Sequence, residues 1–275
     1  MKNVLSIAGS DPSGGAGIQA DLKTMCAMGV YGMTAVTAVT VQNTLAVYDV
    51  LEVDASVVAG QIKAVFDDIR VDAVKVGMVS SADIIRVIGA GLTEFQARNI
   101  VIDPVMVSKS GYRILREDAI DALRALVAMA DVVTPNIPEA EILCGFEVRT
   151  EDDMRAAAEA ITAIGAKNVL VKGGHRADEG AGDMLLSDGV FTFLRTARIP
   201  TKNTHGTGCT LSSAIASRLA VGDGTLTAVR AAKEYITRAI SDAYDVGAGA
   251  GPVGHMTDLY RRAGVIEAKQ EGGVK

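Results

Sequence analysis

The stretch NVLSIAGSDPSGGAGIQADLKTMCAMG, residues 3–29, carries the plan of the whole chain. Its opening, NVLSIA, is a short apolar run that reads as a buried strand. A turn rich in glycine, serine and proline follows, and GAGIQADLKTMCAMG then reads as a helix. The same pattern recurs downstream. MTAVTAVTVQ (33–42), rich in Val and Thr, predicts a strand. DASVVAGQIKAVFDDI (54–69) predicts an amphipathic helix, with Asp54 or Ser56 available as its cap. DAVKVGM (72–78), NIVIDPV (99–105), DVVTPN (131–136) and NVLVKGG (168–174) read as further strands, each followed by a turn and a helical stretch. GDMLLSDGVFTFLRTARI (182–199) is different: two strands flank Ser187, Asp188 and Gly189, a hairpin signal. Two helices, near residues 207–221 and 225–244, close the pattern. Alternating strands and helices predict a mostly parallel sheet with helices on both faces. With no repeat or linker in sight, the expectation is a single domain over residues 1–275.

Composition narrows the function. The net charge is −6, basic residues do not cluster, and Trp is absent, which argues against nucleic acid as a partner. An acidic protein that binds an anion must then use local lysines, backbone N–H groups or a metal. No stretch has the length of a membrane span or the pattern of a signal peptide. Three scattered cysteines do not suggest a disulfide framework, so a reducing cytoplasm is the expectation. Cys26 and Cys144 lie in apolar helical surroundings and are expected in the core.

In parallel sheets of this type, ligands bind outside the carboxyl ends of the strands. The unusual residues fall there: Gly9 to Asp11, Gln42 and Asn43, Gly77 and Met78, Asp103 and Pro104, Pro135 and Asn136, and Lys172 to Gly174. THGTGCT, at the start of the 207–221 helix, adds a glycine turn whose backbone can approach an anion at a helix N-terminus. Gly206 and Gly208 would serve equally for a tight packed turn, but polar neighbours, Lys202 to His205, Thr207 and Thr210, favour the anion. Asp103 and Glu139 are candidates for a phosphate-borne Mg2+, which takes one or two carboxylates. Glu139 also has capping-box spacing with Asn136, and spacing alone favours the cap. Lys172 could meet phosphate oxygens or sit in solvent, as most lysines do. The glycine-rich loop 9–17 is neither a Walker A loop nor a dinucleotide fingerprint.

Taken together and in order, SIAGSDPSGGAGIQADLKT, VTVQNT, VKVGM, VIDPVMVSKSG, TPNIPEAEIL, VLVKGGH and NTHGTGCTLSSAIAS resemble the hydroxymethylpyrimidine and phosphomethylpyrimidine kinases of thiamin synthesis. The resemblance implies a ribokinase-like three-layer α/β/α sandwich, ATP and Mg2+, a cytoplasmic enzyme and a homodimer. It also implies two successive phosphorylations, of 4-amino-5-hydroxymethyl-2-methylpyrimidine and then of its monophosphate. Carried over, Cys209 lies beside the attacking hydroxyl and Gly206, Thr207 and Gly208 form the anion hole. Asp103, Asn136 and Glu139 serve Mg2+ and phosphates, Lys172 the phosphate chain, and Lys233 the nucleotide. Gln42 holds the pyrimidine, and its amide does match a 4-aminopyrimidine edge, acceptor to donor and donor to acceptor. Gly9, Asp11, Ala16 and Met78 line the rest of the ring site. The family's C-terminal His-Gly-His-Gly-Pro run is replaced here by GAGAGP, with Ala248 and Ala250 in place of the histidines.

Phosphoryl transfer depends mostly on positioning and charge neutralisation, so a weak base or hydrogen-bond acceptor at Cys209 would suffice. A helix N-terminus lowers a thiol pKa and bound ATP raises it again. The polar loop SKSGYRILRE, residues 108–117, is expected to fold over the phosphates with Lys109 and Arg113 as contacts. Three other readings compete: a pyridoxal kinase, from which Gln42 would discriminate; an acyl or thiol transferase using Cys209 and His205; and a non-catalytic pyrimidine-binding regulator.

Overall fold

The computed structural model describes residues 1–107, 111, 114–174 and 181–266. Lys109 and Arg113 of the expected lid lie outside the described residues. One nine-stranded sheet carries the fold, in the order β3-β2-β1-β4-β5-β6-β7-β8-β9. Its strands are β1 (Asn3–Ser10), β2 (Tyr31–Gln42), β3 (Val47–Glu52), β4 (Ala73–Val76), β5 (Ile100–Ile102), β6 (Val132–Val133), β7 (Val169–Lys172), β8 (Ala181–Ser187) and β9 (Val190–Thr196). From β2 through β7 neighbouring strands are parallel. Antiparallel β3 closes one edge, and the antiparallel pair β8 and β9 closes the other. Asp188 and Gly189 both have positive φ, 51° and 74°, the geometry of the tight hairpin predicted there.

Each face of the sheet is covered by helices. On one side lie α2 (Ala55–Asp68), α3 (Ala82–Glu94), α4 (Ile120–Val127), α5 (Ile137–Cys144) and α6 (Glu151–Ile164), packed on Leu5, Ile7, Val74, Val76, Ile102 and Val133. On the other lie α1 (Gly17–Ala27), α7 (Thr207–Val221) and α8 (Thr225–Ser241), packed on Val4, Ala73, Val101, Val132 and Leu170. Alternate residues of the central strands therefore feed two separate cores. This is the three-layer α/β/α architecture expected. Asp54 caps α2, accepting from the Ser56 N–H at 2.8 Å, and Ser81 caps α3.

Three details differ from the sequence reading. Strand β3 was not anticipated, because its exposed outer face leaves VYDVLE without a buried run. A short further helix, α9 (Thr257–Arg262), follows the two helices expected to close the chain. Cys26 is exposed rather than in the core, since the buried stripe of α1 is Ala20, Asp21, Thr24 and Met25. Cys144 is half-buried against the α2–α6 core. None of the described helices is long and apolar enough to cross a membrane.

The strand order reverses at β1, which lies between β2 and β4. The chain leaves β1 towards β2 and leaves β4 in the opposite direction, so a crevice opens at their carboxyl ends. Gly9 and Met78 face each other across it: a methyl group on Gly9 would stand 2.8 Å from Met78 Sδ.

Candidate active site

Among the described residues, every site residue inferred from the sequence except Lys233 lines one cleft at that crevice. Gly9, Asp11, Ala16, Gln42 and Met78 form its inner end, and Asp103, Asn136, Glu139 and Lys172 its outer end. Gly206, Thr207, Gly208 and Cys209 form the wall between them. Lys233 lines a second cleft that shares Asn136, Lys172, Thr207 and Gly208 with the first. The two clefts thus meet at the N-terminus of α7.

The inner end is organised by Asp11. Its Oδ1 accepts from the Ser13 N–H and hydroxyl at 2.8 and 2.7 Å. Its Oδ2 accepts from Gly15 N at 3.1 Å, Ala16 N at 2.8 Å and His205 Nε2 at 2.8 Å. Burial would raise this carboxyl pKa, but the hydrogen bonds from His205, Ser13 and Ala16 outweigh it and bring it down to about 2. Asp11 therefore holds the glycine-rich loop and His205, with its oxygens already supplied with donors. The sequence reading, which made it a ring-lining residue, is sharpened accordingly.

His205, absent from the expected site set, links this loop to Gln42, whose amide nitrogen lies 3.2 Å from His205 Nε2. Because Nε2 donates to Asp11, a nitrogen facing it would set two donors against each other. Thr40 Oγ1, 3.2 Å from Gln42 Oε1, gives its proton to the Ser10 carbonyl at 2.9 Å. Every donor finds an acceptor when the amide is turned, with oxygen to His205 and nitrogen to Thr40. Asp11 orients His205 through Nε2, but no described contact joins His205 to Cys209, whose thiol is raised to about 11 by burial, so the acyl-transfer reading lacks an activated nucleophile. Val47 and Val50 of β3 supply apolar wall that the sequence reading missed along with the strand.

At the outer end, Asp103 Oδ1 accepts from Lys172 Nζ at 2.7 Å and from the Thr134 hydroxyl at 3.1 Å. Lys172 is only 15% exposed, so it is not a solvated loop lysine. Burial would lower its pKa, but Asp103 and Glu139 outweigh this and hold it above the ordinary lysine value. Asn136 and Glu139 form a reciprocal capping box at the start of α5, with bonds of 2.9 and 2.8 Å. The cap favoured on spacing is present, and it is also what aims the buried Glu139 carboxyl into the cleft. Burial, with Asp103 nearby and Lys172 opposing, pushes that carboxyl up to about 7.

Cys209 sits in the first turn of α7 and lines the cleft together with Gly17. Burial raises its thiol pKa to about 11, Asp21 and Asp103 add to the rise, and Lys75 opposes it. This corrects the expectation that the helix N-terminus lowers it: desolvation is the larger effect. At neutral pH Cys209 is a thiol. Gly206 adopts φ 79°, and a methyl group there would collide with the Gly15 carbonyl. The two glycine loops therefore interlock.

Lys233 Nζ lies 2.5 Å from Asp183 Oδ2, a buried partner that the sequence did not single out. The C-terminal segment braces the site from outside. Gly251 accepts from His205 N at 3.0 Å, Ala250 N donates to Thr44 at 2.9 Å, and His255 Nε2 meets Thr210 Oγ1 at 2.9 Å.

The described residues contain no group of three or more His, Cys, Asp or Glu able to hold a metal by themselves. A cation carried in by a phosphate chain has a smaller requirement, which the pair Asp103 and Glu139 meets. The high pKa of Glu139 beside Asp103 also suits a site that gains when positive charge arrives.

Comparison with known proteins identifies the family of the chain. Residues 11–254 match the family model described as phosphomethylpyrimidine kinase. The hydroxymethylpyrimidine/phosphomethylpyrimidine kinase of Rhizobium meliloti is 50% identical over 92% of this chain and 96% of its own length. The thiamine biosynthesis bifunctional protein ThiED of Geobacter sulfurreducens is 49% identical over 92% of this chain, which spans 52% of that longer protein. A crystal structure of an ADP complex of Bacillus subtilis pyridoxal kinase superposes with a TM-score of 0.88 at 42% identity, covering 94% of this chain and 99% of that one.

Proposed function

The chain belongs to the phosphomethylpyrimidine kinase family, and from that premise we propose the following reaction. It uses ATP to phosphorylate the hydroxymethyl group of 4-amino-5-hydroxymethyl-2-methylpyrimidine, and then the monophosphate, as one ribokinase-like domain in the cytoplasm. The observation that carries this reading is the meeting of two clefts at the α7 N-terminus. A cleft walled by Met78, Val47 and Val50 and a cleft that bears Lys233 share Thr207, Gly208, Asn136 and Lys172. An acceptor alcohol and a phosphate donor would be brought together there.

Gln42 presents its amide to the aminopyrimidine edge, held in orientation by His205 and Thr40. Met78 and Ala16 flank the ring, with Gly9 leaving space. The N–H groups of the 206–208 turn face the charge that develops on the transferred phosphoryl group. Lys172 neutralises the phosphate chain, and Lys233 with Asn136 meets the nucleotide side. Cys209 lies beside the attacking hydroxyl and accepts or donates a hydrogen bond as a thiol; the late proton loss of a loose transition state asks for no stronger base. Asp103 and Glu139 would hold Mg2+ carried on the nucleotide, which supplies charge neutralisation on the phosphate oxygens when bound.

A homodimer is part of this reading. Val39 and Val41 on β2 and Leu51 on β3, the cross-strand partner of Val39, are 47%, 57% and 72% exposed beside the free sheet edge. A second copy covering this face would bury them.

Pyridoxal is the second candidate acceptor, because the Bacillus subtilis structure is of a pyridoxal kinase. The deciding experiment measures phosphate transfer from ATP to hydroxymethylpyrimidine, its monophosphate and pyridoxal side by side. Preference for pyridoxal, or no transfer to the monophosphate, would overturn the proposal.

A further inference from the structure

One fully buried ion pair has no role in the chemistry above. Lys75 on β4 and Asp21 on α1 have no solvent exposure, and Lys75 Nζ lies 2.9 Å from both carboxylate oxygens. Ser6, the neighbour of Lys75 on β1, donates to Asp21 Oδ2 at 2.5 Å. Ser213, on α7, donates to Oδ1 at 2.7 Å. Burial would lower the Lys75 pKa, but Asp21 outweighs it and holds it above the ordinary value, so the ammonium persists. Gly77 leaves room for that ammonium, since a methyl group there would collide with Nζ. Replacing a buried pair with apolar residues is often neutral or stabilising, so such a cluster calls for a geometric role.

The spacing supplies one. Asp21 follows Gly17 by four residues and Ser213 follows Cys209 by four, so each pair shares a helix face, one turn apart. Gly17 and Cys209 line the cleft together, and the Gly17 N–H acts on the Cys209 thiol. Asp21 bonds to Ser213 one turn below it. Helices α1 and α7 thus meet at the cleft and are bonded one turn below it, and Lys75 ties that bond to the sheet. We propose that Asp21, anchored by Lys75 and bonded to Ser213, is a positioning residue: it sets the register of α7 on α1 and so holds Cys209 and the 206–208 turn against the acceptor pocket. The inference rests on the kinase reading for its effect on turnover, but not for its effect on geometry.

The test compares Ser213→Ala with Ser217→Ala. Ser217 is equally buried on α7, but its hydroxyl bonds within the helix, to the Ser213 carbonyl at 2.7 Å. Ser213→Ala is expected to lower kcat about tenfold while the pyrimidine KM stays within about twofold, whereas Ser217→Ala keeps the parent kcat. A second readout needs no substrate. Iodoacetamide labelling of Cys209, followed by peptide mass spectrometry, is expected to be roughly fivefold faster in Ser213→Ala than in Ser217→Ala, because the sulfur is less well covered. Equal kcat and equal labelling in the two variants would overturn the register role, as would a change confined to KM. If the parent protein transfers no phosphate to the pyrimidine and Ser213→Ala alone labels faster, the kinase reading fails and the register role stands.

Discussion

Gly206 and Gly15 meet backbone to backbone, with the α-carbon of one pressed against the carbonyl of the other. The contact joins the loop after β1 to the turn before α7, more than half the chain away. It makes a definite prediction, because Gly206 also has positive φ. Gly206→Ala is expected to cut kcat by about a hundredfold by displacing the 206–208 N–H groups. Steady-state kinetics beside thermal melts checks this: a variant that folds and turns over normally would remove the turn from the mechanism.

Cys209→Ala is expected to slow turnover roughly tenfold while pyrimidine binding, followed by calorimetry, survives. With the thiol titrating at about 11, no limb of the kcat profile between pH 7 and 9 should belong to Cys209. An unchanged turnover rate in the variant would make it a packing residue.

Glu139 gives the acid side of the profile. Its carboxyl is raised to about 7, so it takes up a proton as pH falls through that value and loses its charge for the cation. The Mg2+ concentration giving half-maximal rate should therefore rise below pH 7, and Glu139→Gln should abolish that dependence. Stability follows the same sign. A raised carboxyl favours the folded state below its unfolded pKa, and that contribution is lost as pH rises through 7. Without ligand, Glu139→Gln should gain in melting temperature over the parent between pH 6 and 8.

Asp11 works in the opposite sense. Its carboxyl is lowered to about 2, so the stability it gives is present above its unfolded value and is lost as pH falls towards 2. Asp11→Asn sets an amide nitrogen among N–H donors, frees His205 and with it Gln42. The pyrimidine KM is expected to rise about tenfold with a smaller change in kcat. An effect on kcat alone would separate Asp11 from ring recognition.

Exposed Val41 and Leu51 allow a test of assembly. Val41→Glu with Leu51→Glu should convert a dimer to monomers in sedimentation experiments, by placing charge in an apolar contact. Monomeric parent protein would dispose of the dimer.

Much of the fold was legible because its signals are local. Buried parallel strands such as NIVIDPV and NVLVKGG are continuous apolar runs, helices α2, α3, α5 and α6 carry their own side-chain caps, and Asp188 and Gly189 name their own turn. Strand β3 was not legible: half of its residues face solvent, and its partner selects it. The site residues could be listed because they stand at strand ends, yet their protonation could not. The high Glu139 carboxyl, the low Asp11 carboxyl and the un-ionised Cys209 come from burial and neighbours that are far away in sequence.

The amino-acid order by itself determined the alternation of strands and helices, the glycine turns and the polar residues at strand ends, since each depends on neighbours within a few positions. Only the tertiary structure decided what those residues do to one another. It placed Gly15 against Gly206, turned His205 to Asp11 and Gln42, paired Lys172 with Asp103, and buried Lys75 on Asp21 beneath the helix that carries Cys209. Electrostatics and close packing act through space, and chain order does not encode those distances until the sheet brings its carboxyl ends together.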